Sequence, residues 1–149
     1  MEDFISIFLV LGLLIVGFFS GAYVEKKHYE SIKKRERQTL HVPAISFGAK
    51  QAFPEAKDAQ MFVGSVVISS DYFKTFVLGL RNLIGGRVVA YESLLDRGRR
   101  EAILRMKEEA IAWGATQVLN VRLESSTISG NSNKGNVSIE VIAYGTGIR

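Results

Sequence analysis

The 149-residue chain has no cysteine, two prolines, two histidines and one tryptophan. Without cysteine there are no disulfides and no thiolate metal ligands, which fits a reducing compartment. Both histidines, His28 and His41, precede the part of the chain that reads as a folded domain. No imidazole therefore stands in that domain as a general base or a metal ligand. Serine, threonine and tyrosine are present, but nothing is placed to activate them, so the chain reads as a non-enzyme. Dense Lys/Arg stretches with interleaved aromatics are also missing, and a nucleic-acid partner is not expected. No internal repeat is visible.

Charge is missing too, and this absence is the most informative. From Phe4 to Val24 there is no Asp, Glu, Lys or Arg, and Phe, Ile, Leu and Val dominate. At about 1.5 Å rise per residue, a helix over residues 4–24 covers roughly the 30 Å hydrocarbon layer of a bilayer. A secretory signal peptide is the competing reading, with Ser20-Gly21-Ala22 as a loose cleavage site. It would need a basic start and a shorter apolar run, whereas the chain opens Met1-Glu2-Asp3. An uncleaved transmembrane anchor is expected. Lys26, Lys27, Lys33, Lys34, Arg35 and Arg37 follow the run and no basic residue precedes it. Basic residues resist translocation, so the expected topology is a single-pass inner-membrane protein with its amino terminus outside and its carboxyl-terminal domain in the cytoplasm. Tyr23 is placed as an interfacial aromatic.

The net charge of +4 is therefore partly a membrane-proximal matter. Residues 25–60 read as a basic juxtamembrane segment, a solvated extension of the helix to Arg37 followed by a linker. Contact with anionic headgroups, at about 1 kcal/mol per basic residue, is weighed there against a plain topology signal. Pro43, Gly48 and Pro54 break any periodicity over Gln38–Gln60.

The domain, 61–149, opens with a Val/Ile-rich strand over Met61–Ser69. Ser70-Asp71 reads as the N-cap of a helix over Tyr72–Ile84, ended by Gly85-Gly86. A long helix spans about Tyr91–Trp113, with Gly114 as its C-cap. Leu95, Gly98, Ala102, Met106, Ala110 and Trp113 form its inner stripe, and the small residues permit close approach to a sheet. Leu104 and Ile111 lie off that stripe and mark a second contact face. Two alternating strands follow, Gln117–Glu124 and Val137–Tyr144, joined by a Ser/Asn/Gly loop over Ser125–Asn136. The order β-α-α-β-β gives an α+β fold with exposed sheet edges, which partner subunits would cover.

Strand Val63–Ile68, Gly85-Gly86-Arg87, Tyr91-Glu92, Leu94-Leu95, Arg99, Ala102 and Arg105-Met106 together resemble the YbjQ-like family of small bacterial proteins. Glu109-Ala110, Gly114-Ala115, Val121-Arg122 and Tyr144-Gly145-Thr146 extend the match, which runs from Met61 to Ile148. The family carries a heavy-metal-binding label. The resemblance implies a dodecin-like domain with a three-stranded antiparallel sheet that assembles into a ring, a homo-oligomer of five copies. The chain departs from the family pattern at Thr116, Gln117 and Asn120, where Asn/Asp, Ala and Gly are usual, and at Gly147, where Ala is common.

Transition metals are held by clustered His, Cys or carboxylates. Here Glu124 and Glu140 are placed to meet on the polar sheet face beside Arg122, as an intersubunit cluster. A structural ion-pair network is the simpler account of those three residues. Gly85-Gly86-Arg87 resembles an anion cradle but reads more simply as a turn. Gly17-x-x-x-Gly21 is a weak helix-packing signal. The functional expectation is a membrane-anchored oligomeric binding module for a metal or small molecule, with cofactor unknown. The alternative is a scaffolding oligomer that meets another membrane protein through Leu104, Ile111 or the 38–60 arm.

Overall fold

In the computed structural model the described residues are 2–47, 52–69, 89–128 and 138–149. They form helix α1 (Glu2–Gln38), strands β1 (Ala44–Ile45) and β2 (Ala59–Ser69), helix α2 (Val89–Trp113), and strands β3 (Gln117–Ile128) and β4 (Ser138–Ile148). The expected Ser70-Asp71 cap, the Tyr72–Ile84 helix and the Gly85-Gly86-Arg87 turn lie outside the described residues.

The strands make one mixed sheet in the order β1-β3-β4-β2. This corrects the three-stranded antiparallel expectation, because β1 adds a fourth strand, parallel to β3. A two-residue strand is too short to show a period, and Pro43 beside it looks like a breaker. Proline lacks only the donor, however, and the Pro43 carbonyl accepts the Val118 amide at 2.9 Å. The last strands also run further than expected: β3 takes up Ser125–Ile128, and β4 continues to Ile148.

Alternation places Phe62, Gly64, Val66 and Ile68 of β2, and Ile139, Val141 and Ala143 of β4, against α2. On α2 the buried stripe is Leu94, Gly98, Ala102, Met106 and Ala110. Small residues bring helix and sheet close. A methyl on Gly98 would lie 2.8 Å from Val141 Cγ2, and one on Gly64 would run into the α2 backbone at Ala102 and Met106. Gly114 adopts φ +96°, its amide bonds Ile111 O, and the Ala115 amide bonds Ala110 O, both at 2.9 Å. That pair of bonds is a Schellman stop, with glycine at the left-handed position.

β3 carries a bulge. Leu119 pairs with Thr146 and Arg122 with Tyr144, leaving Asn120 and Val121 opposite Gly145. Asn120 has φ 52°, a conformation that asparagine tolerates better than most side chains. The extra residue reverses the alternation. Val118 is in the core before the bulge, and Leu123 shares a face with core Ala143 after it. Strict alternation over Gln117–Glu124 would put Leu119, Val121 and Leu123 on one face; the bulge splits them, with Leu119 across from Thr146 on the other side.

The second half of α1 is not a solvated extension. Ile32 is fully buried, and Leu104 of α2 is 2 % exposed. Leu104 lies one turn from both Glu101 and Glu108, which Arg35 holds, so α1 closes over the second face of α2. Tyr29 donates to Ser93 O, Glu36 accepts from Arg100, and Thr39 O accepts from Lys107. Position numbers rise together on both helices, so α1 and α2 run in the same direction.

Candidate functional surface

Two polar arrangements and one apolar face are available to a ligand or partner. The first polar arrangement joins the helices. Arg35 makes a two-pronged contact with Glu108, Nε and Nη2 each at 2.7 Å, while its Nη1 meets Glu101 at 2.8 Å. Arg105 donates to the other oxygen of Glu101 at 2.9 Å and, through Nη1, to Ser65 O at 2.8 Å. Arg100 grips both oxygens of Glu36 at 2.7 Å. Forked guanidinium–carboxylate pairs of this kind fix orientation as well as adding energy.

Glu101 is 4 % exposed, and burial by itself would raise its pKa. The hydrogen bond from Arg105, with the charge and hydrogen bond of Arg35, outweighs burial and holds the carboxyl below the usual range. Glu36 is lowered chiefly by its hydrogen bond from Arg100. Burial pushes the His28 pKa down, with Arg97 adding to the effect. In sequence Glu101 and Arg105 stand four residues apart, the spacing of an ordinary helical pair. What that spacing could not show was α1 arriving above them.

The second arrangement contains Arg122, Glu124 and Glu140. All three lie on the sheet face turned away from α2: Arg122 opposite Tyr144, Glu124 opposite Ile142, and Glu140 opposite Ser126. Glu140 accepts a long hydrogen bond from the Ser126 hydroxyl, 3.4 Å. Glu124 and Glu140 are thus one cross-strand row apart on neighbouring strands.

That outer face is more apolar than its sequence suggested. Met61, Val63 and Val67 of β2 alternate onto it and are 65, 43 and 58 % exposed. Val63 adjoins Tyr144, and Val67 adjoins Glu140. No described element covers this face. β2 is an edge strand, and β3 beyond its two-residue pairing with β1 is the opposite edge. At the far end of the sheet a cleft of about 390 Å³ is lined by Phe53, Glu55, Thr116, Gln117, Ile148 and Arg149, among others.

A heavy metal finds no ready site among the described residues. Among the described residues no three His, Cys, Asp or Glu side chains group closely enough to hold an ion. His28 Nδ1 is buried without a hydrogen-bond partner, but the charged groups acting on it include Arg97, Arg35 and Arg105, which repel a cation. The described residues of a single copy do not fit a bound metal.

Comparison with known proteins places the chain in a family. Residues 54–149 match the family model YbjQ_1, described as "Putative heavy-metal-binding". A UPF0145 protein of Limosilactobacillus fermentum is 38 % identical over 86 residues, covering 58 % of this chain and 71 % of the relative. One from Halalkalibacterium halodurans is 36 % identical over 85 residues, covering 57 % and 74 %. A crystal structure of a protein of unknown function from Pediococcus pentosaceus, assigned to the DUF74 family, aligns with TM-score 0.40 at 16 % identity. It covers 70 % of this chain and 92 % of the other. The family model covers the α+β domain and more than half of the chain. The chain is a member of the YbjQ family, with α1 and β1 lying ahead of the matched region.

Proposed function

We propose that the chain is a membrane-anchored subunit of a homo-oligomer, and that copies meet through the outer face and free edges of the sheet. The supporting observation is that face: exposed Met61, Val63 and Val67 beside half-buried Ile142 and Tyr144, on a strand with an unpaired edge. Adjacent exposed apolar side chains on an edge strand mark an interaction site. The anchor is the first half of α1, whose apolar window has mean hydropathy 2.5 and is 0 % buried. The basic residues after it favour a cytoplasmic domain.

Such an assembly is a binding module. Arg122, Glu124 and Glu140 rim the proposed interface, so copies would bring several carboxylates and guanidinium groups together where one copy cannot. A metal or small polar ligand would then be held between subunits. Of the patch expected for the scaffolding alternative, Leu104 and Val42 of the arm are buried, Ile111 is half-buried and Leu40 of the arm is exposed.

Native mass spectrometry of the full chain released from detergent micelles tests this reading. An oligomer is expected, of five copies if the family resemblance carries over. A monomer at all concentrations would overturn it.

A further inference from the structure

We propose that the domain stands end-on against the bilayer that anchors it, with Lys26, Lys27, Lys33 and Lys34 held by anionic lipid headgroups. The inference rests on the membrane-anchored reading and adds which end of the domain meets lipid, and which lipid it prefers.

The level of the membrane is carried into the domain by the helix pair. Tyr29 meets Ser93, and α1 and α2 run the same way. One turn earlier on each helix are Glu25, the first charge after the apolar run, and Val89, the first residue of α2. The start of α2 therefore lies at the height where α1 leaves the hydrocarbon. The sheet follows, because β2 runs against α2. Gly64 packs beside Ala102 and Met106, whereas Ile68 reaches Gly98. Continuing that trend, Ser69 and its cross-strand neighbours Ser138 and Ile128 belong to the membrane-facing end. Glu55, Thr116, Gln117 and Ile148 belong to the other. α2 has 25 residues, so the two ends are separated by roughly 37 Å.

The charges on α1 are sorted accordingly. Arg35 and Glu36 face α2 and are used there. Lys26, Lys27, Lys33 and Lys34 are exposed, interrupted by Glu30, and none makes an ion pair among the described residues. Lys26 and Lys27 stand at headgroup height. Lys33 and Lys34 are about 10 Å higher by helix rise, with long side chains that can reach down. Among the described residues Glu25 and Glu30 of α1 and Glu92 and Asp96 of α2 are acids at this end, and Asp96 lies 3.8 Å from Arg100. Each basic residue near such a surface is worth about a fivefold preference for anionic lipid.

The absence of cysteine makes the test direct. Ile128→Cys and Glu55→Cys variants of the full chain would each carry one donor dye, in liposomes containing acceptor-labelled headgroups, with and without phosphatidylglycerol. Energy transfer from position 128 should exceed that from position 55 several-fold. It should rise with phosphatidylglycerol, and the rise should vanish when the four lysines are changed to Gln. Equal transfer from both positions, stronger transfer from position 55, or no dependence on anionic lipid would overturn the proposal while leaving the anchor intact. Failure of the chain to float with liposomes at all would overturn the anchor, and the proposal with it.

Discussion

Gly64 and Gly98 set how closely α2 lies on the sheet. At Gly64 the obstacle to any side chain is helix backbone, which cannot rotate aside, whereas at Gly98 it is a single valine methyl. Gly64→Ala should therefore cost about 3 kcal/mol or more, against about 1–2 for Gly98→Ala, read as the fall in urea midpoint. Asn120 illustrates a different constraint. Its φ of 52° is open to glycine, and its side-chain oxygen also accepts the Phe47 amide at 2.9 Å, tying the arm after β1 to the bulge. Asn120→Gly keeps the bulge but loses the tie and should cost about 1 kcal/mol. Asn120→Val adds a β-branched side chain at positive φ and should cost about 2–3 kcal/mol. Equal losses in the two variants, measured by thermal unfolding, would show that backbone strain is not what selects this residue.

The element that most changes the picture is the second half of α1. Its contact with α2 is built on charge: Arg35 between Glu101 and Glu108, Arg100 on Glu36, and Lys107 on the Thr39 carbonyl. Exposed pairs contribute little, but Glu101 is buried and neutralising it would leave Arg35 and Arg105 facing an uncharged partner. Glu101→Gln should loosen α1 from α2, with a stability loss of about 2 kcal/mol and faster amide exchange over residues 28–38. The same interface sets a pH dependence. His28 sits below its ordinary 6.5, so the unfolded chain takes its proton first and stability falls as pH drops below 6.5. Glu36 and Glu101 lie below 4.5, so their contribution is complete above 4.5 and is lost as pH falls through their lower folded values. Both changes have the same sign, and docking of α1 should weaken in two stages on acidification. Tyrosine fluorescence beside the helix pair, or exchange at residues 28–38, would follow it; docking that does not weaken at all as pH falls from 6.5 into the acid range would contradict the account.

For the whole molecule, the outer sheet face decides whether a solitary copy is sensible. An eleven-residue edge strand with three exposed apolar side chains invites association. Arg105 reaches round from α2 to the Ser65 carbonyl and occupies one acceptor at that edge. If copies meet there, Val63→Lys with Val67→Lys should dissociate the oligomer without unfolding the domain, since both side chains point away from the core. An unchanged native mass in that double variant would move the interface elsewhere.

Much of this architecture can be read from residue order. The charge-free run, the small-residue stripe of α2 and its glycine stop are local signals, and helix period and left-handed φ need no distant partner to be recognised. The family match over residues 54–149 spans the stripe and the stop but not the charge-free run. Other features depend on groups far apart in sequence. β1 has two residues and no period, so only Val118 and Leu119 identify it as a strand. The reversal of faces along β3 depends on one residue's φ. Arg122, Glu124 and Glu140 can be placed on one face by alternation, but whether they form a site depends on what lies against that face. The clearest case is Arg35, which looks in sequence like its lysine neighbours. Packing against Glu101 and Glu108 makes it a structural residue, while those lysines make no ion pair among the described residues, because a buried carboxylate needs a cation and only the fold decides which one reaches it.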